Sequence, residues 1–371
     1  MTKSVRQKKV VHLLYGGIGG HGSVFFSMVK ASQNSEFVHV PIFYGIEKVR
    51  SSYIDKCNEL GLSHKVISKN RGIDLLFFLK VFREVRRESP EVLFLHGSYL
   101  SLMAWLVKVF SVKELRMVIR ETQANHLKTK KDWLFLKVAL PFSDAIVFLS
   151  TKYKEEIEHR KLLFYNSRRS WVIPNGIDLT FFKPDKRPNL TDTIRIGMLS
   201  RLVDIKDHKT LLKAVSIIKL TANKQVHLSI YGDGATRSSL ESYSSELGLA
   251  DQVDFAGAIS EEEIPDALNQ LDIYVHASFG ETMSTSIMQA QACGLPIIAS
   301  DVSGINNVIE DSKNGILVPV EDAEKLSEAI ISLISNETTR SELGDASLDY
   351  AKTNLSNKKM MDSYLELFRN L

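Results

Sequence analysis

Two polar residues, Glu281 and Gln289, lie eight positions apart in the stretch LDIYVHASFGETMSTSIMQAQACGLPIIASD. The pattern predicts a buried strand at 271–277, a helix from about Thr282 and a second buried strand at 297–300. On a helix, positions i and i+8 share a face and lie about 12 Å apart. That distance matches the reach from a sugar ring, past a diphosphate, to a ribose. The same stretch also fits an ordinary strand–helix–strand unit with an incidental glutamate.

The start of this predicted helix favours an anion, because free N–H groups and the helix dipole meet there. Thr282, Ser284 and Thr285 are residues of the type that cap such a start. Two cations, Arg201 and Lys206, directly follow another predicted strand and precede a helix. Arginine can grip a diphosphate as a fork and lysine as a point charge. Taken alone, the two cations fit surface positions equally well.

Glycines end several predicted strands, where a backbone can approach an anion closely. The first strand leads into GGIGGHG, and Gly232 and Gly234 in IYGDG and Gly257 in FAG follow later strands. The first loop does not have the spacing G-x-G-x-x-G, and no acidic residue ends the second strand. The loop therefore argues against a dinucleotide site. A tight strand-to-helix turn remains the alternative for it.

Three further polar residues end predicted strands of the N-terminal half. His96 follows the fourth strand in FLHGS, and Arg120 and Glu121 follow the fifth in VIRETQ. Because parallel strands end at one edge, these residues can face one crevice. A single histidine at a strand end is also compatible with a structural, hydrogen-bonded role.

Short apolar runs alternate with amphipathic runs along the chain, which predicts parallel sheets wrapped in helices. We predict two Rossmann-like domains with a boundary near residue 185, where the charge changes sign: 1–185, and 186–357. A last helix at about 358–371 is expected to cross back to the first domain. The predicted strands of the N-terminal half are 10–15, 37–43, 65–67, 92–95, 116–120, 145–149 and 171–173.

Charge divides the 371 residues unevenly, although the net charge is only +3. Residues 1–184 contain 30 Lys and Arg against 16 Asp and Glu, a net +14, and the remainder is −11. The cations recur beside apolar and aromatic residues, which fits an anionic membrane face or a nucleic acid. No nucleic-acid module is recognisable, so the membrane is the better partner. A solvated basic surface is the alternative.

The two cysteines, Cys57 and Cys293, form no disulfide or metal pattern and favour a reduced, cytosolic compartment. The longest apolar stretches are interrupted by lysine and fall short of the ~20 residues of a membrane span. The apolar run after the basic N-terminus is too short for a signal peptide and is read as a first strand. We therefore expect no integral membrane protein.

The order of the motifs GGIGGHG, PNGID, SRL with Lys206, IYGDG, FAG, FGE-x7-Q and ACGLPIIASDVSG resembles glycosyltransferase family 4. These are retaining, nucleotide-sugar-dependent enzymes with the GT-B fold. The resemblance covers nearly the whole chain, strongly at 194–319 and more loosely in the N-terminal half. It implies an α/β architecture of two facing Rossmann-like domains with a cleft between them. The first domain would bind the acceptor and the second the nucleotide sugar.

The resemblance also implies roles for individual residues. Arg201 and Lys206 would bind the donor diphosphate, and Glu281 would hold the donor sugar; these three form the catalytic set. Gln289 replaces a second glutamate that binds the ribose, so ribose binding is expected to be weaker. The predicted donor-binding set is Gly19, Gly20, Gly232, Gly257, Thr282, Met283, Ser284 and Gln289. The family's N-terminal histidine has no direct match, which leaves as acceptor-side candidates His21, His96, Arg120 and Glu121.

By this resemblance, the reaction would retain the anomeric configuration and need no metal or cofactor, with the nucleotide sugar as co-substrate. A UDP-linked hexose or N-acetylhexosamine is the expected donor, with GDP-mannose as the alternative. The basic first half suggests a lipid-linked saccharide acceptor at the inner face of the cytoplasmic membrane, in bacterial surface polysaccharide synthesis. Alternatives are a degenerate nucleotide-sugar-binding subunit and an epimerase of the same fold. A nicotinamide oxidoreductase is disfavoured by the glycine loop.

Overall fold

The computed structural model describes residues 7–17, 21–33, 35–72, 74–110, 114–185, 193–221 and 225–371. The chain forms two compact units. Unit 1 combines Met1–Gly176 with Asn357–Leu371, and unit 2 is Ile177–Ser356.

Unit 1 is built on a sheet of parallel strands in the order β3-β2-β1-β4-β5-β6-β7, within the described residues. Most of its strands read as continuous apolar runs because helices cover both faces of the sheet. The strands are β1 Lys8–Tyr15, β2 Phe37–Gly45, β3 Lys65–Ser68, β4 Val92–Leu95, β5 Arg116–Arg120, β6 Ala145–Phe148 and β7 Ser170–Val172.

The helices of unit 1 are α1 His21–Ala31, α2 Ser51–Glu59, α3 Leu75–Glu88, α4 Ser101–Val109, α5 Lys130–Ala139, α6 Thr151–His159 and the C-terminal helix of the chain. Helices α3 to α6 cover one face, and α1, α2 and the C-terminal helix Asn357–Arg369 cover the other. In α3, the apolar side chains of Phe77, Val81 and Val85, four positions apart, are buried. Asp74 caps the start of α3 by accepting a hydrogen bond from the Phe77 N–H at 3.0 Å.

Unit 2 repeats this design with described strands in the parallel order β10-β9-β8-β11-β12-β13. They are β8 Thr193–Leu199, β9 Gln225–Tyr231, β10 Val253–Gly257, β11 Ile273–His276, β12 Ile297–Ser300 and β13 Ile316–Val318. The helices are α7 His208–Thr221, α8 Arg237–Glu246, α9 Ile264–Asn269, α10 Thr285–Ala292, α11 Ala323–Ser335 and α12 Glu337–Asn354. The C-terminal helix Asn357–Arg369 is therefore α13.

Each sheet has one point at which the order of strands reverses. In unit 1 it lies between β1 and β4, and in unit 2 between β8 and β11. Loops leave the carboxyl ends of such a strand pair in opposite directions, and open α/β sheets bind ligands in the resulting crevice. Of the predicted site residues, His96 directly follows β4 and Arg120 ends β5 in unit 1. In unit 2, Arg201 and Lys206 follow β8 and Glu281 follows β11.

The boundary between the units differs from the predicted one near residue 185. Unit 2 begins at Ile177, whose N–H donates to the Leu355 carbonyl at 2.6 Å and which bridges to Ser356. The Asp185 N–H is also bound within unit 2, by Asn269 Oδ1 at 3.0 Å. The change of charge sign near 185 therefore does not mark the structural boundary, because hydrogen bonds attach 177–185 to unit 2.

Candidate functional site

The candidate site of unit 2 is a buried cluster of Lys206, His276 and Glu281. The Lys206 ammonium forms an ion pair with Glu281 Oε1, and His276 Nε2 lies 2.7 Å from the same oxygen. Lys206 Nζ and His276 Nε2 are 3.5 Å apart. Since β8 and β11 are neighbours, the loop after β8 and the loop after β11 bring these groups together at the switch point.

Hydrogen-bond chemistry fixes the protons of this cluster. An ionised carboxylate only accepts, so His276 must carry its proton on Nε2 and donate to Glu281. The other ring nitrogen, Nδ1, is then bare and lies 3.3 Å from the Tyr274 hydroxyl. That hydroxyl accepts from the Leu199 N–H at 3.3 Å, and its single proton can go to Nδ1 or to the Leu199 carbonyl at 3.2 Å. Polar contacts thus connect the end of β8 to the carboxylate.

The cluster holds one positive and one negative charge. Burial raises the pKa of Glu281, but the His276 hydrogen bond and the Lys206 charge outweigh burial and lower it to about 2. Burial and then the Lys206 charge lower the pKa of His276, against the opposing effect of Glu281. At neutral pH the site therefore consists of an ammonium, a carboxylate and a neutral imidazole.

Backbone contacts hold the Lys206 loop against the segment that follows β11. The Ile205 carbonyl accepts from Ser278 Oγ at 3.0 Å and from the Phe279 N–H at 2.9 Å. The Asp207 N–H donates to the Ala277 carbonyl at 3.1 Å. These bonds hold the Lys206 segment beside the loop that carries Glu281.

Arg201 lies in the same loop with an exposed side chain. Two glycines pack closely against the backbone on either side of Arg201. A Cβ atom added at Gly232 would lie 1.8 Å from the Ser200 carbonyl oxygen, and a Cβ atom added at Gly234 would lie 2.2 Å from the Leu202 carbonyl oxygen. Gly232 also has a φ of +142°. Both glycines therefore serve to pack the β9 loop against the Arg201 segment. Gly257 has a φ of +82° and ends β10.

The predicted helix start at Thr282 is wrong. Helix α10 begins at Thr285, and Thr282 and Met283 form a bend before it. Ser284 is the N-cap residue, but its side chain makes no capping bond and lies 3.2 Å from Ser286 Oγ. Glu281 is therefore outside the helix, and the estimate of about 12 Å to Gln289, which assumed a continuous helix, does not apply. Gln289 is on α10 and only 6% exposed.

At the switch point of unit 1 the structure brings His21, His96 and Arg120 together. The His21 and His96 rings are 6.3 Å apart, and the Arg120 charge lowers the pKa of both after the larger effect of burial. Arg120 is 2% exposed and donates through Nη2 to Asn175 Oδ1. Gly19 and Gly20 lie outside the described residues.

Glu121 follows Arg120 in sequence but has different partners. Its carboxylate lies 3.7 Å from Lys128 Nζ and accepts from the Gln123 N–H at 3.2 Å. The Lys128 side chain is 1% exposed and lies 5.5 Å from the centre of the Trp133 ring. Lys128 thus contributes to a buried ion pair rather than to the basic surface expected from sequence.

Sequence reasoning missed His276 and Tyr274 in unit 2. Both lie on the apolar strand β11, two positions apart and therefore on one face. A histidine in a buried strand, five residues before a glutamate, was the available signal. His12 and His39 of unit 1 were also missed; the His12 ring contacts both His39 and His96.

The described part of the chain contains no group of three or more His, Cys, Asp or Glu side chains that could hold a metal ion. Within the same residues, none of the helices combines the length and the apolar character needed to cross a membrane.

Comparison with known proteins finds a family model that matches most of unit 2. Residues 181–349 match the family model described as "Glycosyl transferases group 1". The match contains Arg201, Lys206, His276 and Glu281. The comparisons support a glycosyltransferase.

Among curated relatives, the lipopolysaccharide core biosynthesis glycosyltransferase LpsE of Rhizobium meliloti is 27% identical over 97% of this chain and 98% of its own. An uncharacterised glycosyltransferase of Methanocaldococcus jannaschii is 26% identical over 67% of this chain and 64% of its own. The gpi3 subunit of the phosphatidylinositol N-acetylglucosaminyltransferase of Schizosaccharomyces pombe is 26% identical over 74% and 61%. The chain thus spans less than two thirds of the latter two relatives.

Solved structures agree on the fold. Anabaena HepE in complex with UDP and glucose superposes with a TM-score of 0.83 at 16% identity, covering 98% of this chain and all of that one. The lipopolysaccharide outer core galactosyltransferase WaaB gives 0.76 at 17% identity, with 98% and 100% coverage. The predicted fold class is confirmed as two parallel-sheet α/β domains of the GT-B type.

Proposed function

We propose that this protein is a retaining glycosyltransferase of family 4 that transfers a hexose or N-acetylhexosamine from a UDP-sugar. The observation that carries the proposal is the Lys206–Glu281 ion pair, supported by neutral His276, at the switch point of unit 2. A cation and a carboxylate in contact provide one group for a diphosphate and one for sugar hydroxyls. The neighbouring Arg201 adds a second, exposed cation.

In this proposal the residues act mainly by positioning and charge stabilisation. A donor diphosphate would take over the Lys206 ammonium from Glu281. The carboxylate, still held by His276, would then accept hydrogen bonds from hydroxyls of the donor sugar. Lys206 and Arg201 would stabilise the charge that grows on the leaving diphosphate. UDP as the nucleotide is supported by the likeness to HepE, which binds UDP and glucose.

We infer a lipid-linked saccharide acceptor in bacterial surface polysaccharide synthesis, with LpsE as the supporting relative. A surface of unit 1 fits an anionic membrane. Helices α3, α4 and α5 pack side by side, and the Phe82 and Phe110 rings, 6.4 Å apart, join the first two. Exposed apolar side chains on this three-helix surface are Leu75, Leu76, Leu79, Leu102, Leu106, Val109, Phe110 and Leu134. Exposed cations on the same helices are Lys80, Arg83, Arg86, Arg87, Lys130, Lys131 and Lys137.

Such a surface can combine apolar insertion with about 1 kcal/mol of attraction per cation near an anionic bilayer. It would place the protein at the cytoplasmic face of the membrane, where lipid-linked acceptors are assembled. Co-sedimentation with vesicles containing anionic lipid at low salt tests this. Replacing Leu75, Leu76 and Leu79 by serine should reduce binding at least tenfold, whereas Leu220→Ser, at an exposed leucine of unit 2, should not. Equal binding by both variants would contradict the surface assignment.

The reaction is tested by incubating the protein with UDP-sugars or GDP-mannose and a saccharide acceptor. We expect release of UDP and a product with the anomeric configuration of the donor, read by NMR. If only GDP-mannose is consumed, with release of GDP, the donor is GDP-mannose and not a UDP-sugar. A product with the inverted anomeric configuration would contradict the retaining mechanism. Nucleotide-sugar binding without release would indicate a binding subunit, and an isomerised free sugar nucleotide would indicate an epimerase.

A further inference from the structure

A row of three buried histidines crosses the sheet of unit 1. His39 in β2, His12 in β1 and His96 after β4 are 3%, 0% and 6% exposed. His12 Nε2 lies 2.8 Å from His39 Nδ1, and His12 Nδ1 lies 3.1 Å from His96 Nε2. The strand order β2-β1-β4 brings the three rings together, although they are far apart in sequence.

The rings in this row are uncharged. Burial lowers the pKa of His39 to about 4. Burial, and then neighbouring histidines and Arg120, lower the pKa values of His12 and His96 well below the usual range. Each neutral imidazole has one N–H and one bare nitrogen. The three rings therefore share three N–H groups, of which the two hydrogen bonds use two.

The third N–H must lie at one end of the row, either on His96 Nδ1 or on His39 Nε2. Both atoms are buried and have no hydrogen-bond partner in the structure. The tautomers are coupled, because a proton at one end requires a bare nitrogen at the other. Which end carries the proton thus determines what His96 can offer to a ligand.

The two ends differ in what can reach them. His39 lies inside the sheet, where an unpaired N–H would have no acceptor and would be costly. His96 follows the carboxyl end of β4 at the switch point, close to His21 and Arg120, where a water or ligand oxygen can accept its N–H. Arg120 Nε, whose guanidinium lies beside the Tyr364 hydroxyl, is a second buried donor at this edge. The edge therefore offers two donors to an oxygen-rich ligand.

We propose that His39 and His12 are positioning residues that hold His96 in the Nδ1–H tautomer, so that it donates to a sugar oxygen. The rings of Phe25 and Phe94, centred 5.0 and 4.9 Å from that of His12, restrict the middle ring. The inference rests on the proposed glycosyl transfer for the identity of the ligand. The tautomer itself can be observed without any reaction.

The first test is the tautomer of His96 in the complete, ligand-free protein, read from the two ring ¹⁵N shifts and their long-range proton couplings. We expect a protonated Nδ1 and a bare Nε2. A protonated Nε2 would overturn the inference, whether or not the protein transfers sugar. Absence of transfer with the expected tautomer would refute only the proposed function, because the positioning of the ring would stand.

The second test uses a matched pair of variants. His39→Phe removes the end of the row and should let His96 populate both tautomers, with about a tenfold loss in kcat/KM, the value of one net hydrogen bond. His39→Asn places an amide near the former Nδ1, can donate to His12, and should restore the tautomer and most of the rate. The control His159→Phe changes an exposed histidine of the same unit and should alter neither.

Separate KM values for donor and acceptor identify which sugar receives the bond. If His39→Phe fails to fold, the comparison of His39→Asn with the wild-type protein still tests the inference. A His96 tautomer in His39→Asn that differs from that of the wild type would contradict the coupling of the three rings. A folded His39→Phe protein with unchanged tautomer and kinetics would overturn the inference.

Discussion

The two switch points differ in how their charges are balanced. In unit 2, the Lys206 cation contacts the Glu281 anion, and neutral His276 supports the carboxylate. In unit 1, the Arg120 guanidinium has the neutral Asn175 as hydrogen-bond partner and lies among histidines that stay uncharged. The first site is internally paired, and the second leaves buried polar atoms unpaired.

This difference suggests different modes of binding. A paired site can exchange one partner for a charged ligand with little reorganisation, because the ligand replaces an interaction that already exists. An unpaired site gains hydrogen bonds only when a ligand arrives, so it favours neutral, oxygen-rich molecules of matching geometry. Such a division fits a charged donor in one unit and a saccharide in the other.

The largest effect is expected from Glu281→Gln. Loss of the carboxylate charge should reduce the transfer rate by about 10²–10³-fold, as for removal of one preorganised stabilising group. The same change at Glu310, an exposed glutamate of unit 2 that pairs with Lys313, should leave the rate unchanged. UDP release measures both, and near-normal turnover of Glu281→Gln would place the reacting centre elsewhere.

The acid stability of the protein should depend on the same carboxylate. The native pKa of Glu281, about 2, is below its ordinary value of 4.5. Its ionisation therefore stabilises the fold above pH 4.5, and this stability is lost as the pH falls towards 2. The contribution is about 3 kcal/mol. Urea unfolding of unit 2 measures this. Between pH 7 and pH 3, the free energy of unfolding should fall less in Glu281→Gln than in the wild-type protein. Equal losses would contradict the pairing.

A smaller effect on stability is expected from Arg120→Met. Removing a buried charge that has only neutral partners should change the free energy of unfolding by about 1 kcal/mol in either direction. It should also raise the pKa of His21 from about 4, since the Arg120 charge lowers it. NMR titration of His21 reads this shift. Arg116→Met, at a half-exposed arginine of the same strand, serves as control and should not move it.

The smallest effect is expected from Gln289→Glu on α10. A charged acceptor forms stronger hydrogen bonds than an amide, so UDP should bind a few-fold more tightly if its ribose lies there. Calorimetric titration with UDP measures this. Weaker binding would show that the buried position does not face the ribose.

Much of the fold could be predicted from the sequence. The strands Val92–Leu95, Arg116–Arg120 and Ile297–Ser300 coincide with the predicted ones, because buried parallel strands read as short apolar runs. The helix predicted to start at about Thr282 begins instead at Thr285, because Ser284 adopts an extended conformation. Local patterns identify elements more reliably than their ends.

Only part of the candidate site could be predicted from the sequence. Lys206 and Glu281 were found from residue type and motif order, and they lie together in the structure. His276 was not recognised as a site residue, because it lies in the short apolar strand β11. The row His39–His12–His96 could not be found from spacing, since its contacts depend on the strand order β2-β1-β4.

The return of α13 to unit 1 has a consequence for how the protein is made. Tyr364 and Phe368 pack against Phe94, in the core of the first sheet, although they follow the whole of unit 2 in the sequence. On the ribosome, unit 2 is therefore complete before unit 1 can close its core. The N-terminal 176 residues must wait for α13 with part of their apolar face uncovered. Folding of the nascent chain is thus expected to run from its middle outwards, and a nascent chain whose residues 357–371 are still inside the ribosome would carry a native unit 2 beside an unfinished unit 1.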